Sequence, residues 1–433
     1  MNSYGVYQRG IDTIFFRHHF CRQENALFAF RWGFLARLRG RGWDATGHES
    51  LQVYTISANN ITASFIPYGA RLVSLLVPDR SGQQQDVVVG FDNPEQYVEN
   101  VASNNAYLGP IVGRYANRIK NSTFILDGVE YKVPSNEFND TQTLHGGPVG
   151  YDQRNWTVTN HTEDSITFAL FDPGFENFPG KVVNLAAYTV SSSWSPDNAS
   201  FETKLTTRTV SIAQSDRTPI MLSNHIYWNL NAFKEPNILN DTFLQLPLSD
   251  RYISTDSHLI PTGQIADVKT SFDEALDFTS PKLIGQDIQS TTGLCGDNCT
   301  GYDTCFIIDR PTNISDWTSS PKAMVPALNM FSTTTGISML VSTNQHAVQI
   351  YTCSGQNGTL PVKQSQVDRN NQQNTGNTTH PVDTVQKYGC IVIEPEGWID
   401  GVNNPQWGQL QYQIFGPNTP PAVNWATYVF GRV

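Results

Sequence analysis

A glutamate that directly follows an apolar run is the first residue of this sequence whose type and position suit chemistry. Glu394 comes after Ile391-Val-Ile393, so its carboxylate is expected close to the core. A charged group there is costly unless it is paired or functional. Glu394 is therefore a candidate acid–base residue, with a structural ion pair as the alternative.

Five more polar clusters lie beside apolar stretches, and each has an ordinary structural explanation when it is taken alone. A lone histidine in a strand, such as His225, is more often a hydrogen-bonded core residue than a catalyst. Arg118 suits a structural salt bridge, and Asp303 suits a bend. The clusters are Gly113-Arg-Tyr-Ala-Asn-Arg118, Thr143-Leu-His-Gly-Gly147, Ser223-Asn-His-Ile-Tyr-Trp-Asn-Leu230, Gly301-Tyr-Asp303 and Val348-Gln-Ile-Tyr351.

Short strands must position these residues, because from about Asp44 onward almost no helical periodicity exceeds ten residues. The clearest hairpin is predicted over Thr123 to Val133, where Asp127-Gly128 supplies the positive φ angles of a two-residue turn. Many short strands at regular spacing indicate a sandwich or a barrel. Further strands are predicted at Ser165 to Leu170, Phe201 to Thr207, Gly336 to Ser342, Asp86 to Gly90 and Gly389 to Ile393.

One domain from about residue 45 to 433 is the simplest organisation, because neither a flexible linker nor an internal repeat divides the strand-rich region. The polar segment from Ser354 to Gln386 is expected to be a surface loop. Residues 1–44 form a basic extension, with seven arginines against Asp12 and Glu24 before Gly42. It is unlike a signal peptide, and an organellar presequence, a segment replacing a true signal peptide and a disordered extension all remain open.

The charge and composition of the chain argue against two classes of binding partner. A net charge of −11 argues against a surface for nucleic acid, and the best apolar run of the basic extension is too short to span a bilayer. A small neutral substrate suits the chain better than nucleic acid or a membrane.

The glycosylation signals and cysteines favour the secretory route. Eleven Asn-x-Ser/Thr sequons occur after residue 59, so N-glycans and an extracellular location are expected. The cysteines suggest bridges between Cys295 and Cys299 and between Cys353 and Cys390. Cys21 and Cys305 stay unassigned, and no metal site is expected because no CxxC accompanies a zinc-type histidine pair.

Taken together and in order, the polar clusters resemble the aldose 1-epimerases, also called galactose mutarotases. The resemblance runs from about Val53 to the C-terminus. It implies an all-β fold, a large antiparallel β-sandwich that holds a sugar in a groove on one sheet. Further matching motifs are Ile66-Pro-Tyr-Gly-Ala-Arg-Leu72, Asp86-Val-Val-Val-Gly-Phe91, Gly150-Tyr-Asp-Gln-Arg-Asn-Trp156 and Leu259-Ile-Pro-Thr-Gly263.

The resemblance implies a general acid at His225 and a general base at Glu394. These two would open and close the ring of a free monosaccharide, with a protonated imidazole as the acid, and no metal or organic cofactor would be needed. The implied ligands of the sugar hydroxyls are Asn117, Arg118, His145, Asp303 and Gln349.

The sequence departs from the family pattern near both catalytic positions. Ile226 and Trp228 stand after the acid, His346-Ala347 precedes Val348-Gln349, and Pro395-Glu396 follows the base. Trp228 and Glu396 are expected to reshape the groove. Three other functions stay open: a glycosidase that uses Asp303 and Glu394, a hexose-6-phosphate epimerase, and a sugar-binding module without catalysis.

Overall fold

A computed structural model describes residues 49–103, 106–195, 201–311, 323–373 and 382–433 of the chain. Residues Ser50–Val433 form one compact unit. The predicted basic extension and Cys21 lie outside the described residues. So do three sequons, at Asn198, Asn313 and Asn377.

Strands dominate the described chain, as the sequence predicts. The elements are β1 (Tyr54–Ala58), β2 (Ile61–Ile66), β3 (Arg71–Pro78), β4 (Gln84–Asp86), α1 (Glu95–Ser103), β5 (Ile111–Val112), β6 (Arg118–Ile119), β7 (Thr123–Leu126), β8 (Val129–Lys132), β9 (Thr143–Leu144), β10 (Thr157–His161), β11 (Ser165–Asp172), β12 (Val182–Trp194), β13 (Phe201–Ala213), β14 (Thr218–Pro219), β15 (Ser223–Asn224), β16 (Tyr227–Trp228), β17 (Thr242–Gln245), β18 (Arg251–Thr255), β19 (Pro261–Asp267), β20 (Lys282–Leu283), β21 (Asp303–Ile307), β22 (Val325–Ser332), β23 (Ile337–Thr343), β24 (Ala347–Tyr351), α2 (Gln364–Gln373), β25 (Ile391–Glu396), β26 (Ile414–Phe415) and β27 (Ala422–Arg432). Neither of the two helices in this described part has the length and hydropathy that a bilayer crossing needs.

Two large antiparallel sheets make the sandwich. One has nine strands in the order β10-β11-β12-β13-β27-β23-β22-β17-β20, and the other has six in the order β16-β25-β24-β21-β18-β19. A separate four-stranded sheet, β1 to β4, contributes Phe65 and Leu75 to the same apolar core. The all-β sandwich expected from the sequence is the fold of this chain.

Strand alternation gives the six-stranded sheet one apolar and one polar face. Ile391 and Ile393 of β25 lie in the core between the sheets, so Glu394 points to the opposite face. Its partner in the β24–β25 register is Gln349. The register therefore places two predicted site residues side by side without any loop movement.

The predicted hairpin is present as β7 and β8. Asp127 and Gly128 have φ angles of 52° and 81°, which a two-residue turn requires. The predicted strand over Asp86 to Gly90 is wrong for most of its length, because only Asp86 belongs to β4 and Val88 makes an isolated bridge to Trp228. Buried apolar residues there fill the core without pairing in a ladder.

The prediction of a plain surface loop over Ser354 to Gln386 is also wrong. The segment contains α2, which is held by polar contacts rather than by a broad apolar face. Lys363, just before α2, donates to the Asp86 carboxylate at 2.7 Å, and both side chains are buried. Gln366 donates to the backbone carbonyl of Asp86 at 2.9 Å. Polar residues with buried partners can order a segment whose composition looks loop-like.

Both proposed cysteine pairs are disulfides in the structure. Cys295 is bonded to Cys299, and Cys353 is bonded to Cys390. The second bridge closes the segment that contains α2. Cys305 is a free, buried cysteine on β21.

Trp228 was expected to reshape the groove, and the structure places it in the core instead. Its side chain is 0% exposed, and its ring lies 5.0 Å from that of Tyr428 and 5.9 Å from that of Phe430 on β27. Its neighbour Tyr227 takes the outward position, because adjacent strand residues point to opposite faces.

Replacing Trp228 by phenylalanine is expected to lower the free energy of unfolding by about 1–3 kcal/mol, since it leaves a cavity between the sheets. Urea unfolding of the variant and the unaltered chain measures this difference. A loss below about 0.5 kcal/mol, typical of exposed positions, would contradict the core assignment.

Candidate active site

The seven predicted site residues converge on the polar face of the six-stranded sheet. Glu394, Gln349 and Asp303 come from the adjacent strands β25, β24 and β21. His225 lies between β15 and β16, and β16 pairs with β25 at the edge of this sheet. The other three, Asn117, Arg118 and His145, come from the β5–β6 connection, the start of β6 and the residue after β9.

His225 and Glu394 form the centre of the cluster. The imidazole Nε2 lies 3.5 Å from a Glu394 oxygen, and the two side chains are 7% and 3% exposed. Burial lowers the pKa of His225 to about 3. Burial, with smaller contributions from Glu396 and Asp303, raises the pKa of Glu394 well above its usual range, and Arg118 opposes this shift.

Burial disfavours the charged form of each group, the imidazolium of His225 and the carboxylate of Glu394. A protonated imidazole was expected from the sequence, and the direction of the His225 shift opposes that form in the unliganded site. With 3.5 Å between Nε2 and the carboxyl oxygen, the two groups are close enough to act on neighbouring atoms of one ligand.

Three aromatic rings surround the imidazole of His225. The ring of His145 is edge-on at 4.9 Å, and those of Tyr227 and Tyr107 lie at 5.2 and 5.5 Å. Their packing fixes the plane of the imidazole. Tyr227 was missed by the sequence analysis, although two-residue alternation from His225 would have found it. Tyr107 has no comparable signal, because it lies in an irregular segment.

Two hydrogen bonds join the backbone of Asn117 to the ring and the backbone of His145. The Asn117 N–H donates to His145 Nδ1 at 3.1 Å, and the His145 N–H donates to the Asn117 carbonyl at 3.0 Å. Accepting at Nδ1 requires the hydrogen of the neutral ring to be on Nε2. Burial, His225 and Arg118 all lower the pKa of His145, so the ring is a neutral donor.

A directional chain of hydrogen bonds crosses the floor. The Asn117 side-chain amide donates to Glu396 at 2.7 Å and to Gln349 at 3.1 Å. The Gln349 amide donates in turn to Asp303. The carboxyl groups at both ends accept, so the two amides have one orientation that satisfies every contact.

Glu396 faces this floor, as the departure from the family pattern suggested, but it is fully buried. Its carboxylate contacts the Asn117 amide and does not face solvent in the groove. Burial raises the pKa of Glu396 to about 8, although its hydrogen bond from Asn117 and the charge of Arg118 act against the shift.

Arg118 is held between two carboxylates. Its Nε and Nη2 donate to the two oxygens of Glu137 at 2.8 Å each, and Nη2 lies 3.9 Å from Asp303. Glu137 was missed by the sequence analysis. It lies between β8 and β9 with no motif around it, and only the folded contact reveals it.

Three side chains of the cluster are of types that can bind a metal ion. Ligand atoms of His145, His225 and Glu394 lie within 4.8 Å of one another. The expectation that the reaction needs no metal stays a prediction.

Fold and site together define a β-sandwich protein with a buried histidine–glutamate pair set in a polar floor. A family model described as Aldose 1-epimerase matches residues 52–413. A probable aldose 1-epimerase from Arthroderma benhamiae is 64% identical over 380 residues, which cover 88% of this chain and 86% of that protein. The galactose mutarotase of Bos taurus is 29% identical over 363 residues, which cover 83% and 90%.

A solved aldose epimerase homologue from C. elegans has the same fold. It superposes with a TM-score of 0.69 at 24% identity and covers 88% of this chain and 99% of its own. The chain belongs to the aldose 1-epimerase family. It is an isomerase that interconverts the anomers of aldoses.

The raised pKa of Glu396 predicts how stability changes with pH. The unfolded chain releases this proton near pH 4.5 and the folded chain near pH 8, so the folded state binds more protons between these values. Stability contributed by the group is therefore lost as pH rises through this window. Replacing Glu396 by glutamine removes that loss and keeps an oxygen that accepts from Asn117.

The variant is expected to gain stability relative to the unaltered chain between pH 5 and pH 8, by at most about 1.4 kcal/mol per pH unit. Urea unfolding at both pH values measures the gain. Glu130→Gln on β8 serves as the control, because it removes an exposed carboxylate. If the free energies of unfolding of the Glu396 variant and the parent differ by the same amount at pH 5 and at pH 8, the raised pKa of a buried Glu396 is contradicted.

Proposed function

We propose that the substrates are free, uncharged aldohexoses of the glucose and galactose type, with His225 as general acid and Glu394 as general base. The observation that supports these roles is the 3.5 Å separation of the two groups. The anomeric hydroxyl and the ring oxygen are bonded to the same carbon, C1. An acid and a base that act on both oxygens must therefore lie near each other.

Ring opening needs two proton transfers. Glu394 removes the proton of the anomeric hydroxyl while His225 donates one to the ring oxygen, and the C1–O5 bond breaks to give the open-chain aldehyde. C1 then rotates, and the reverse transfers close the ring on either face. No proton is gained or lost overall.

Sugar binding favours the charged forms of the pair, which burial disfavours. A hydroxyl that donates to Glu394 stabilises the carboxylate, and a ring oxygen that accepts from His225 stabilises the imidazolium. Both interactions favour the ionised base and the protonated acid that ring opening needs.

The remaining polar residues hold the sugar. His145 donates from Nε2, Asp303 accepts, and Asn117, Arg118 and Gln349 complete a set of donors and acceptors around the hydroxyl groups. Such a set fixes the ring so that C1 faces the acid–base pair.

We also propose that the protein is a secreted glycoprotein. The proposal is supported by the exposure of every sequon asparagine that the structure describes, and by the two disulfides, which persist in oxidising compartments. These exposed asparagines are Asn60, Asn121, Asn139, Asn155, Asn160, Asn240, Asn298 and Asn357.

Replacing His225 by asparagine or Glu394 by glutamine is expected to lower kcat for galactose by about 10²–10⁴-fold, the usual contribution of a positioned acid or base. Polarimetry of freshly dissolved α-D-galactose measures the rate, and α-D-glucose is tested beside it. His161→Asn and Glu130→Gln are the controls, since both residues are exposed and outside the cluster. A variant of either candidate with more than a tenth of the parent rate would refute its assigned role.

N-glycans are expected on the native protein, because the sequon asparagines are accessible. Treatment with a peptide N-glycosidase should lower the mass of protein recovered from the culture medium. Peptide mapping should then find aspartate at several of the exposed sequons. Native protein found only inside cells, with no change of mass, would disprove secretion and glycosylation together.

A further inference from the structure

The corner of the site formed by Arg118, Glu137 and Asp303, called the Arg118 corner below, is its more exposed side. Side-chain exposure rises from 3% at Glu394 to 8% at Arg118, 14% at Asp303 and 19% at Glu137. Asp303 and Glu137 are therefore the more exposed of these residues, whereas His225, at 7%, is about as buried as Arg118.

We propose that Glu137 is a positioning residue that makes this site select uncharged sugars over anionic ones. The inference rests on the proposed function, because it assigns a substrate class to the same site. Glu137 acts through Arg118 and takes no part in the proton transfers.

The ion pair between Glu137 and Arg118 occupies the anion-binding side of the guanidinium. Glu137 accepts two parallel hydrogen bonds from Arg118 Nε and Nη2 at 2.8 Å each. This fork is the arrangement with which arginine would otherwise bind a phosphate or carboxylate. A third N–H points from Nη1 to the Asn117 side-chain oxygen at 3.4 Å. Two of the five guanidinium N–H groups remain, enough for sugar hydroxyls.

The charge of the Arg118 corner also disfavours anions. One guanidinium lies between two carboxylates, so the corner carries a net charge of about −1 when both are ionised. A sugar hydroxyl can accept from Arg118 and donate to Asp303 without meeting a like charge. A phosphate or carboxylate group at the same place would lie beside two negative carboxylates, and little water is present to screen the repulsion.

Neighbouring residues hold Glu137 in this position. The Gln142 amide donates to Glu137 at 2.6 Å and to the backbone carbonyl of His258 at 3.0 Å. The ring of Phe138 stacks on that of His258 at 4.9 Å. Together these contacts join the segment between β8 and β9 to the turn between β18 and β19. The Glu137 carboxylate is thus held between the Arg118 guanidinium and the Gln142 amide.

Replacing Glu137 by glutamine tests the proposal, because it removes the charge and releases one face of Arg118. The KM for galactose is expected to rise about threefold or more, since Arg118 is no longer held in place. Inorganic phosphate and galactose 6-phosphate should become competitive inhibitors with Ki values about tenfold lower than for the parent enzyme. Enzyme-free rates are subtracted, because phosphate itself catalyses ring opening.

Matched variants separate specificity from structure. Glu137→Asp keeps the carboxylate and should restore resistance to both anions. Gln142→Met keeps the charge of Glu137 but removes the amide that holds its carboxylate. It should raise the KM for galactose and lower the Ki values of both anions, by smaller factors than Glu137→Gln. Asp309→Asn breaks a surface ion pair with Arg251 and should change neither constant. If Glu137→Gln does not fold, as thermal unfolding would show, Gln142→Met carries the test.

The outcomes are distinguishable. A parent enzyme that accelerates no aldose would refute the proposed function itself. An active parent whose Glu137→Gln variant keeps its KM and its resistance to phosphate would overturn the role of Glu137. A raised KM without tighter anion binding would reduce Glu137 to a structural support and would also overturn the proposal.

Discussion

The removal of carboxyl groups from water is the constraint on which the rest of this site depends. Glu394 and Glu396 lie on one face of β25 and are both buried, and two charges placed there would be strongly destabilising. Burial raises the pKa of both carboxyl groups, and the Asn117 amide donates a hydrogen bond to Glu396. The same desolvation lowers the pKa of His225 to about 3. Burial thus disfavours the charged form of each member of the acid–base pair.

The sheet supplies the precision that this chemistry needs. Glu394 and Gln349 are register partners, and Asp303 lies on the next strand, so their spacing is fixed by backbone hydrogen bonds. The core behind them, which includes Trp228, keeps the register from slipping. Residues from the less regular segments, such as His145 and Arg118, are tied to this floor by hydrogen bonds and ion pairs.

The fold class and the seven predicted site residues, which lie together in the structure, were accessible from ordered motifs in the sequence. Tyr107, Tyr227 and Glu137 of the same site were missed. Sequence reasoning misplaced Trp228, although the alternation that puts His225 and Tyr227 on one face puts Trp228 on the other. Helix α2 was missed because Lys363 and Gln366 gain their partners from Val73, Asp86 and Val88, which are distant in the sequence. The ion pair of Glu137 and the pKa shifts of His225 and Glu394 depend on three-dimensional contacts and burial, which no local pattern encodes.

A crystal structure with bound galactose tests the central claim most directly. The account predicts the anomeric hydroxyl within hydrogen-bonding distance of the Glu394 carboxylate and the ring oxygen within the same distance of His225 Nε2, with other hydroxyls on Arg118 and Asp303. A sugar bound with C1 turned away from His225 and Glu394, or bound elsewhere on the sheet, would contradict it.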